Sequence, residues 1–178
     1  GLADLYVVKG NVAKMPDFAE KDPNNLLLQG DEGAFVEAGE AAGVASMRIG
    51  RGGALADLNL DGALDMVAVN RWEPAEVWRQ EAPLAGWVQV ALHQDGANRN
   101  AIGAVLEIKR DWGVERREVT AGGGHAGGQL GWLHLGLGAA AAVELRVVWP
   151  GGAAGEWLTL ETGKFYDLTP GGATEWAP

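Results

Sequence analysis

Asp57-Leu-Asn-Leu-Asp61-Gly-Ala-Leu-Asp65 places an oxygen-bearing side chain at positions one, three, five and nine of a short loop. A hard cation such as Ca2+ takes six to eight oxygen ligands in a flexible shell, and alternate acidic residues around a turning glycine supply that shell. Asp57, Asn59, Asp61 and Asp65 are the expected side-chain ligands, the Ala63 carbonyl is a backbone ligand, and Gly62 permits the sharp turn. An EF-hand loop starts in the same way but needs a bidentate Glu at its twelfth position, where this chain has Ala68. The flanking segments, Ala54-Leu-Ala and Met66-Val-Ala-Val, are short apolar runs bounded by glycine and asparagine, which read as strands. The stretch therefore predicts a strand, loop, strand calcium site, against the competing reading of an ordinary acidic turn without an ion.

The same pattern leaves a second trace. Gly1-Leu-Ala-Asp4-Leu-Tyr-Val-Val aligns with Gly62-Ala-Leu-Asp65-Met-Val-Ala-Val, a spacing of 61 residues. A period of that size carrying several short strands suggests a propeller blade. Blades bury their faces against neighbouring blades, so one repeat should not be stable by itself. The expectation is a propeller truncated at its N-terminus, with the remainder upstream or in another chain.

Asn25-Leu-Leu-Leu-Gln, Gly33-Ala-Phe35-Val-Glu, Ala42-Gly-Val and Leu55 to Asp65 resemble the FG-GAP/VCBS repeat of integrin-type propellers over roughly residues 1–80. Downstream, Trp87-Val-Gln-Val-Ala-Leu, Asn98-Arg-Asn-Ala-Ile-Gly-Ala104, Gly122-Gly-Gly-His-Ala-Gly-Gly-Gln129, His134-Leu-Gly-Leu-Gly138 and Val147-Val-Trp-Pro-Gly151 resemble an ASPIC/UnbV domain. The pairing is similar to that of the cartilage acidic protein family and its bacterial relatives. One departure is Gly128, where the resemblance implies a Ser before the Gln. What the resemblance implies is a calcium-binding, secreted or periplasmic protein.

The resulting fold class is all-β: a terminal FG-GAP/VCBS propeller blade over 1–80, a linker at 81–86, a small antiparallel β-sandwich over 87–170 and a tail at 171–178. Glycine, at 28 of 178 residues without a collagen period, agrees with many tight turns. Only 17–21 and 37–42 carry a pattern for a turn or two of helix. In the downstream half, Val88, Val90 and Leu92 alternate with Gln89, Ala91 and His93. Ile102, Ala104, Leu106 and Ile108 alternate with Gly103, Val105, Glu107 and Lys109, and Val143, Leu145, Val147 and Trp149 with Glu144, Arg146 and Val148. One dry face and one wet face are expected in each strand.

A formal net charge of −10, with no stripe of Lys and Arg to neutralise phosphates, argues against nucleic acid as a partner. Arg48, Arg51 and the group Arg110, Arg116, Arg117 read as solvated faces. Zero cysteines exclude disulfides, thiolate metal sites and thiol catalysis. The chain has no long apolar run for a transmembrane segment, and open oxygen loops suit the millimolar calcium found outside the cytoplasm.

Enzyme readings are weak. Gly136-Leu-Gly-Ala-Ala-Ala141 spells a dinucleotide fingerprint, yet the alternating strand starting at Val143 leaves no room for the helix that must follow. Ser46, the sole serine, lies in no nucleophile elbow, and His125 and His134 lack a third metal partner. Glu73 and Glu76 beside Trp72 and Trp78 read as packing rather than as a glycosidase pair. The chain therefore reads as a non-enzymatic recognition or assembly protein with a protein partner, an arrangement that includes a membrane-associated complex. Trp72, Trp78, Asn98, Arg99, Trp112 and Trp176 are the candidate partner-binding residues, because interfaces favour Trp and Arg. Arg99 is expected to staple the Gly122–Gln129 segment to the sheet. The rivals are an accessory or catalytic protein of natural-product biosynthesis and a glycan-binding module.

Overall fold

The computed structural model describes residues 3–11, 19, 21–30, 33–81, 85–125 and 127–178. Fourteen strands in four sheets, and no helix, form among them. The upstream half makes two successive three-stranded antiparallel sheets. The first runs β1 (Leu5–Val7), β2 (Asn25–Gln29), β3 (Phe35–Glu37), and the second β4 (Gly50–Ala56), β5 (Asp65–Asn70), β6 (Glu76–Trp78). These are two partial copies of one hairpin. Leu5 faces Leu27, Tyr6 faces Leu26 and Val7 faces Asn25 in the first. Met66 faces Trp78, Val67 faces Val77 and Ala68 faces Glu76 in the second. An Asp at the start of the strand in one case and just before it in the other holds the far end of the pairing segment: the Gln29 N–H donates to Asp4 Oδ1 at 2.8 Å, and the Gln80 N–H, just past β6, donates to Asp65 Oδ1 at 2.9 Å. The internal repeat is thus real at the level of register and hydrogen bonding, although no ring of blades forms among the described residues.

The downstream half is a two-sheet sandwich. One sheet has the order β10 (Leu133–Gly138), β7 (Gly86–Leu92), β13 (Lys164–Thr169), β14 (Gly172–Trp176). The other has the order β12 (Leu158–Glu161), β11 (Ala142–Val148), β8 (Val105–Arg110), β9 (Gly113–Glu118). Val88, Val90, Leu135 and Leu168 from the first sheet meet Leu106, Ile108, Leu145 and Val147 from the second in one continuous buried core. Full burial of such a side chain contributes about 1.5–3 kcal/mol.

Several expectations need correction. The sandwich is not purely antiparallel, since β13 pairs β7 in parallel, Tyr166 opposite Val90. The chain leaves β7, builds the whole opposite sheet and returns, which is the long crossover that a parallel pair requires. Residues 171–178 are no tail: β14 pairs β13 from Phe165↔Trp176 to Thr169↔Gly172. Residues 37–42 end β3 and enter a single turn, with the Ala42 N–H donating to the Ala38 carbonyl, so no helix forms there. The other expected helix, 17–21, and the core of the expected linker fall largely outside the described residues.

The expected wet face is dry in two places. Gln89 is 1 % exposed on β7 because the Asp57–Asp65 loop covers it, and Glu107 is 4 % exposed on β8 beneath Arg116 and Arg146. Ile102 precedes β8 and is exposed, while Ala104, Leu106 and Ile108 are buried as their spacing predicts.

Candidate functional site

The Asp57–Asp65 loop connects β4 to β5 and curls through two left-handed residues, Leu60 at φ 61° and Gly62 at φ 92°. Its carboxylates hold the curl. Asp57 accepts the Asp61 N–H on Oδ1 at 3.0 Å and the Gly62 N–H on Oδ2 at 2.7 Å. Asp61 Oδ1 accepts the Ala63 N–H at 2.9 Å, and its Oδ2 accepts the Asn59 amide at 2.7 Å. Asp65, buried, accepts the Leu58 N–H at 3.1 Å besides that of Gln80. The Ala63 and Asn59 donors, with Arg79 at 3.8 Å, hold the Asp61 carboxyl below the usual carboxylate range.

Every side-chain donor in this loop is an oxygen, so the donor chemistry suits calcium. The carboxylates are engaged with loop N–H groups, however, and among the described residues no three His, Cys, Asp or Glu side chains gather around one ion position. A carboxylate oxygen has two lone-pair sites, so several acceptor sites remain on Asp57, Asp61 and Asp65 after these bonds.

The loop is also the joint between the two halves. The Gln89 Nε2–H donates to Asp57 Oδ2 at 2.6 Å, and His134 Nε2 lies 2.9 Å from the Gly62 carbonyl, to which it donates as the Nε2–H tautomer. The indole of Trp87 packs directly on Gly62, where any Cβ would overlap its six-membered ring. Trp87 also stacks on His134 with ring centroids 6.3 Å apart and meets Phe165 edge-on at 5.1 Å. Burial in this seam is the main reason that the His134 imidazole is pushed below its ordinary value, with Arg117 adding to it against the opposing influence of the Gly62 carbonyl and Asp57. Gln89 and Trp87 are site residues that sequence reasoning did not single out, and His134, weighed only as a metal ligand, makes its contact here through a backbone carbonyl. Their signal was only that each lies in a motif of the downstream resemblance.

The candidate partner-binding residues divide into two groups. Trp72, 82 % exposed with φ 59°, and Trp112, 74 % exposed at the β8–β9 turn, are free surface, and the Arg71 guanidinium lies 3.8 Å over the Trp72 ring. Trp78 and Trp176 are packed: Trp78 meets Tyr6 edge-on at 6.1 Å, and Trp176 lies 5.2 Å from Trp132 and 5.6 Å from Phe165. Asn98 closes a turn on Ile102, its amide donating to the Ile102 carbonyl and its oxygen accepting the Ile102 N–H.

Arg99 is exposed, and among the described residues its guanidinium makes no hydrogen bond or ion pair, so it does not staple the glycine-rich segment. Gln129 does so instead: its Oε1 accepts the Leu55 N–H of β4 at 3.0 Å. A side-chain amide suits this position because it reaches a backbone donor without burying a charge. Glu73 and Glu76 are each engaged in hydrogen bonds within the hairpins. Glu76 Oε2 accepts the Ser46 hydroxyl at 2.6 Å and the Asn70 amide at 2.9 Å, and Glu73 Oε2 accepts the Ile49 N–H at 3.2 Å.

The solvated-face reading holds for Arg116 but not for Arg110 or Arg51, whose guanidinium groups are part-buried and donate to backbone carbonyls. Arg110 and Arg117 share Glu115, at 2.7 and 2.5 Å, and Arg48 pairs with Glu76 at 3.3 Å. No helix of the described residues is long and apolar enough to cross a membrane.

A search of curated proteins finds no match to the chain. Residues 94–175, from just past β7 into β14, match the family described as ASPIC and UnbV, so the downstream resemblance holds for that part of the sandwich, the Trp87–Leu92 motif lying outside the match.

Proposed function

We propose that the chain is a non-enzymatic, extracytoplasmic recognition protein of the calcium-propeller kind, similar to the cartilage acidic protein family, in which Ca2+ at the Asp57–Asp65 loop locks the repeat hairpins to the ASPIC/UnbV sandwich. The observation that carries this reading is the joint itself. The oxygen-rich loop does not hang free at a sheet edge but is held from the sandwich side by Gln89, His134 and Trp87. Asp57, Asn59, Asp61, Asp65 and the Ala63 carbonyl would hold the ion, which supplies positive charge to a loop with three carboxylates. The match of the sandwich to ASPIC and UnbV supports the extracellular, recognition-type role.

Thermal melts of the protein in calcium and in EGTA test it. An ion that binds only the folded state stabilises by about 2.7 kcal/mol at a hundredfold excess over Kd, so calcium should raise the Tm by several degrees. Asp61→Ala should lose that response. A wild-type melt indifferent to both calcium and chelator would leave the loop an acidic turn.

A further inference from the structure

Between the repeat hairpins and the sandwich lies a cleft of about 610 Å³, within the range of small-molecule sites. Leu55, Leu130 and Trp132 contribute apolar wall, and Arg51, Thr120 and His125 contribute polar groups. Among the described residues no Asp or Glu lines it, although the chain carries 24 of them and a net charge of −10.

Arg51 sharpens the imbalance. Its guanidinium donates to three neutral carbonyls, those of Gly10 at 2.8 Å, Gly50 at 2.6 Å and Asn11 at 3.1 Å, and among the described residues it forms no ion pair. Its position is thereby fixed, and no carboxylate among the described residues offsets its charge. On the opposite wall, the N–H groups of Gly123, Gly124 and His125 have no backbone acceptor among the described residues. Gln129 holds this wall in place through the Leu55 N–H. Among the described residues, a cation with no carboxylate partner, a run of backbone donors without backbone acceptors and a lining free of Asp and Glu favour an anion. A desolvated anion gains most where donors are fixed beforehand. Trp132, already held edge-on against Phe165 with ring centroids 5.2 Å apart, offers a planar apolar surface beside them.

We propose that this cleft binds a small organic carboxylate with a planar apolar body, the carboxylate against Arg51, His125 and the glycine N–H groups and the ring against Trp132. The proposal rests on the recognition reading above but not on calcium, since none of the loop carboxylates lines the cleft. The test uses 2-naphthoate and its neutral isostere 2-naphthamide, read by calorimetry and by amide shifts in 15N NMR spectra of the full chain. Naphthoate should bind at least tenfold more tightly than naphthamide and shift the amides of Gly123, Gly124 and His125 and the Trp132 indole.

Gly123 is the position for a charge reversal, because a Cβ there meets nothing within 4 Å and its φ is not left-handed. Gly123→Asp should weaken naphthoate at least tenfold with an unchanged melt, whereas Gly123→Asn should keep binding within a fewfold. Equal binding of the two probes, absence of those shifts at millimolar naphthoate, or identical behaviour of the Asp and Asn variants overturns the proposal. Failure of this test with the calcium response of the melt intact removes the cleft and leaves the calcium joint standing.

Discussion

The sandwich and the repeat hairpins are built from the same kind of short strand, yet only the sandwich closes. Its two four-stranded sheets face each other, and every residue of the continuous buried core, from Val88 to Leu168, belongs to it. The hairpins bury little: Leu28, Phe35 and Val36 of the first sheet and Val69 and Val77 of the second remain exposed. Alternating sequence makes a two-faced sheet, but a second sheet must cover one face before alternation becomes a core. The hairpins instead hold together through polar capping, with Asp4 and Asp65 accepting backbone N–H groups and Glu37 accepting those of Leu26 and Gly39 at 3.2 and 2.7 Å.

Cutting the chain tests this contrast with the largest expected effect. A fragment of residues 85–178 should melt cooperatively as a monomer, and a fragment of residues 1–80 should show no cooperative transition of its own. A sharp monomeric melt from the upstream piece would mean that polar caps suffice and that the comparison is mistaken.

Single truncations probe the same difference at finer grain. Leu106→Ala, at a fully buried site on β8, should lower stability by about 2–5 kcal/mol in urea titration, through lost transfer energy and the cavity left behind. Leu28→Ala on β2, where the side chain is 41 % exposed, should stay within roughly 0.5 kcal/mol. Comparable losses at the two positions would show that the hairpin faces are covered in solution.

What could be read in advance follows the same division. The Val143, Leu145, Val147 and Trp149 alternation gave buried positions directly, because the opposite sheet lies within the same unit. Gln89 was misjudged because its cover, Asp57, comes from 32 residues upstream, and no local period can report that. The β14 strand was overlooked although its signal was local: it pairs β13 across the Pro170-Gly171 turn, and the glycines and the few apolar residues of 172–176 hid a strand that Trp132 and Phe165 help to place. At the candidate site, the spacing of Asp57, Asn59, Asp61 and Asp65 was legible as an oxygen-donor loop. Its role as the joint was not, since that depends on which face of β7 meets it. Arg99 was expected to staple the glycine-rich segment as a donor, whereas the contact that forms needs an acceptor for the Leu55 N–H, which the Gln129 amide oxygen supplies and a guanidinium cannot.

The smallest effect concerns the outer face of the β12-β11-β8-β9 sheet, where the sandwich covers itself with charge instead of a neighbouring sheet. Glu107 accepts hydrogen bonds from Arg116, and from Arg146 at 2.7 Å, and these two guanidinium groups hold its carboxyl below the usual glutamate range. Arg146 in turn lies 4.7 Å over the Trp157 ring, so the carboxylate organises a layer of packed side chains. A carboxyl whose folded value is depressed binds fewer protons in the folded than in the unfolded state. Its contribution is therefore complete above the unfolded glutamate value, near 4.5, and is lost as pH falls through the lower folded value. Glu107→Gln should melt below wild type at neutral pH by less than the Leu106→Ala variant does, and the gap should close as the buffer is taken below pH 4. A gap that persists unchanged into acid would mean that the shape of the side chain, and not its charge, holds the layer, and the sandwich would then close by packing on both of its faces.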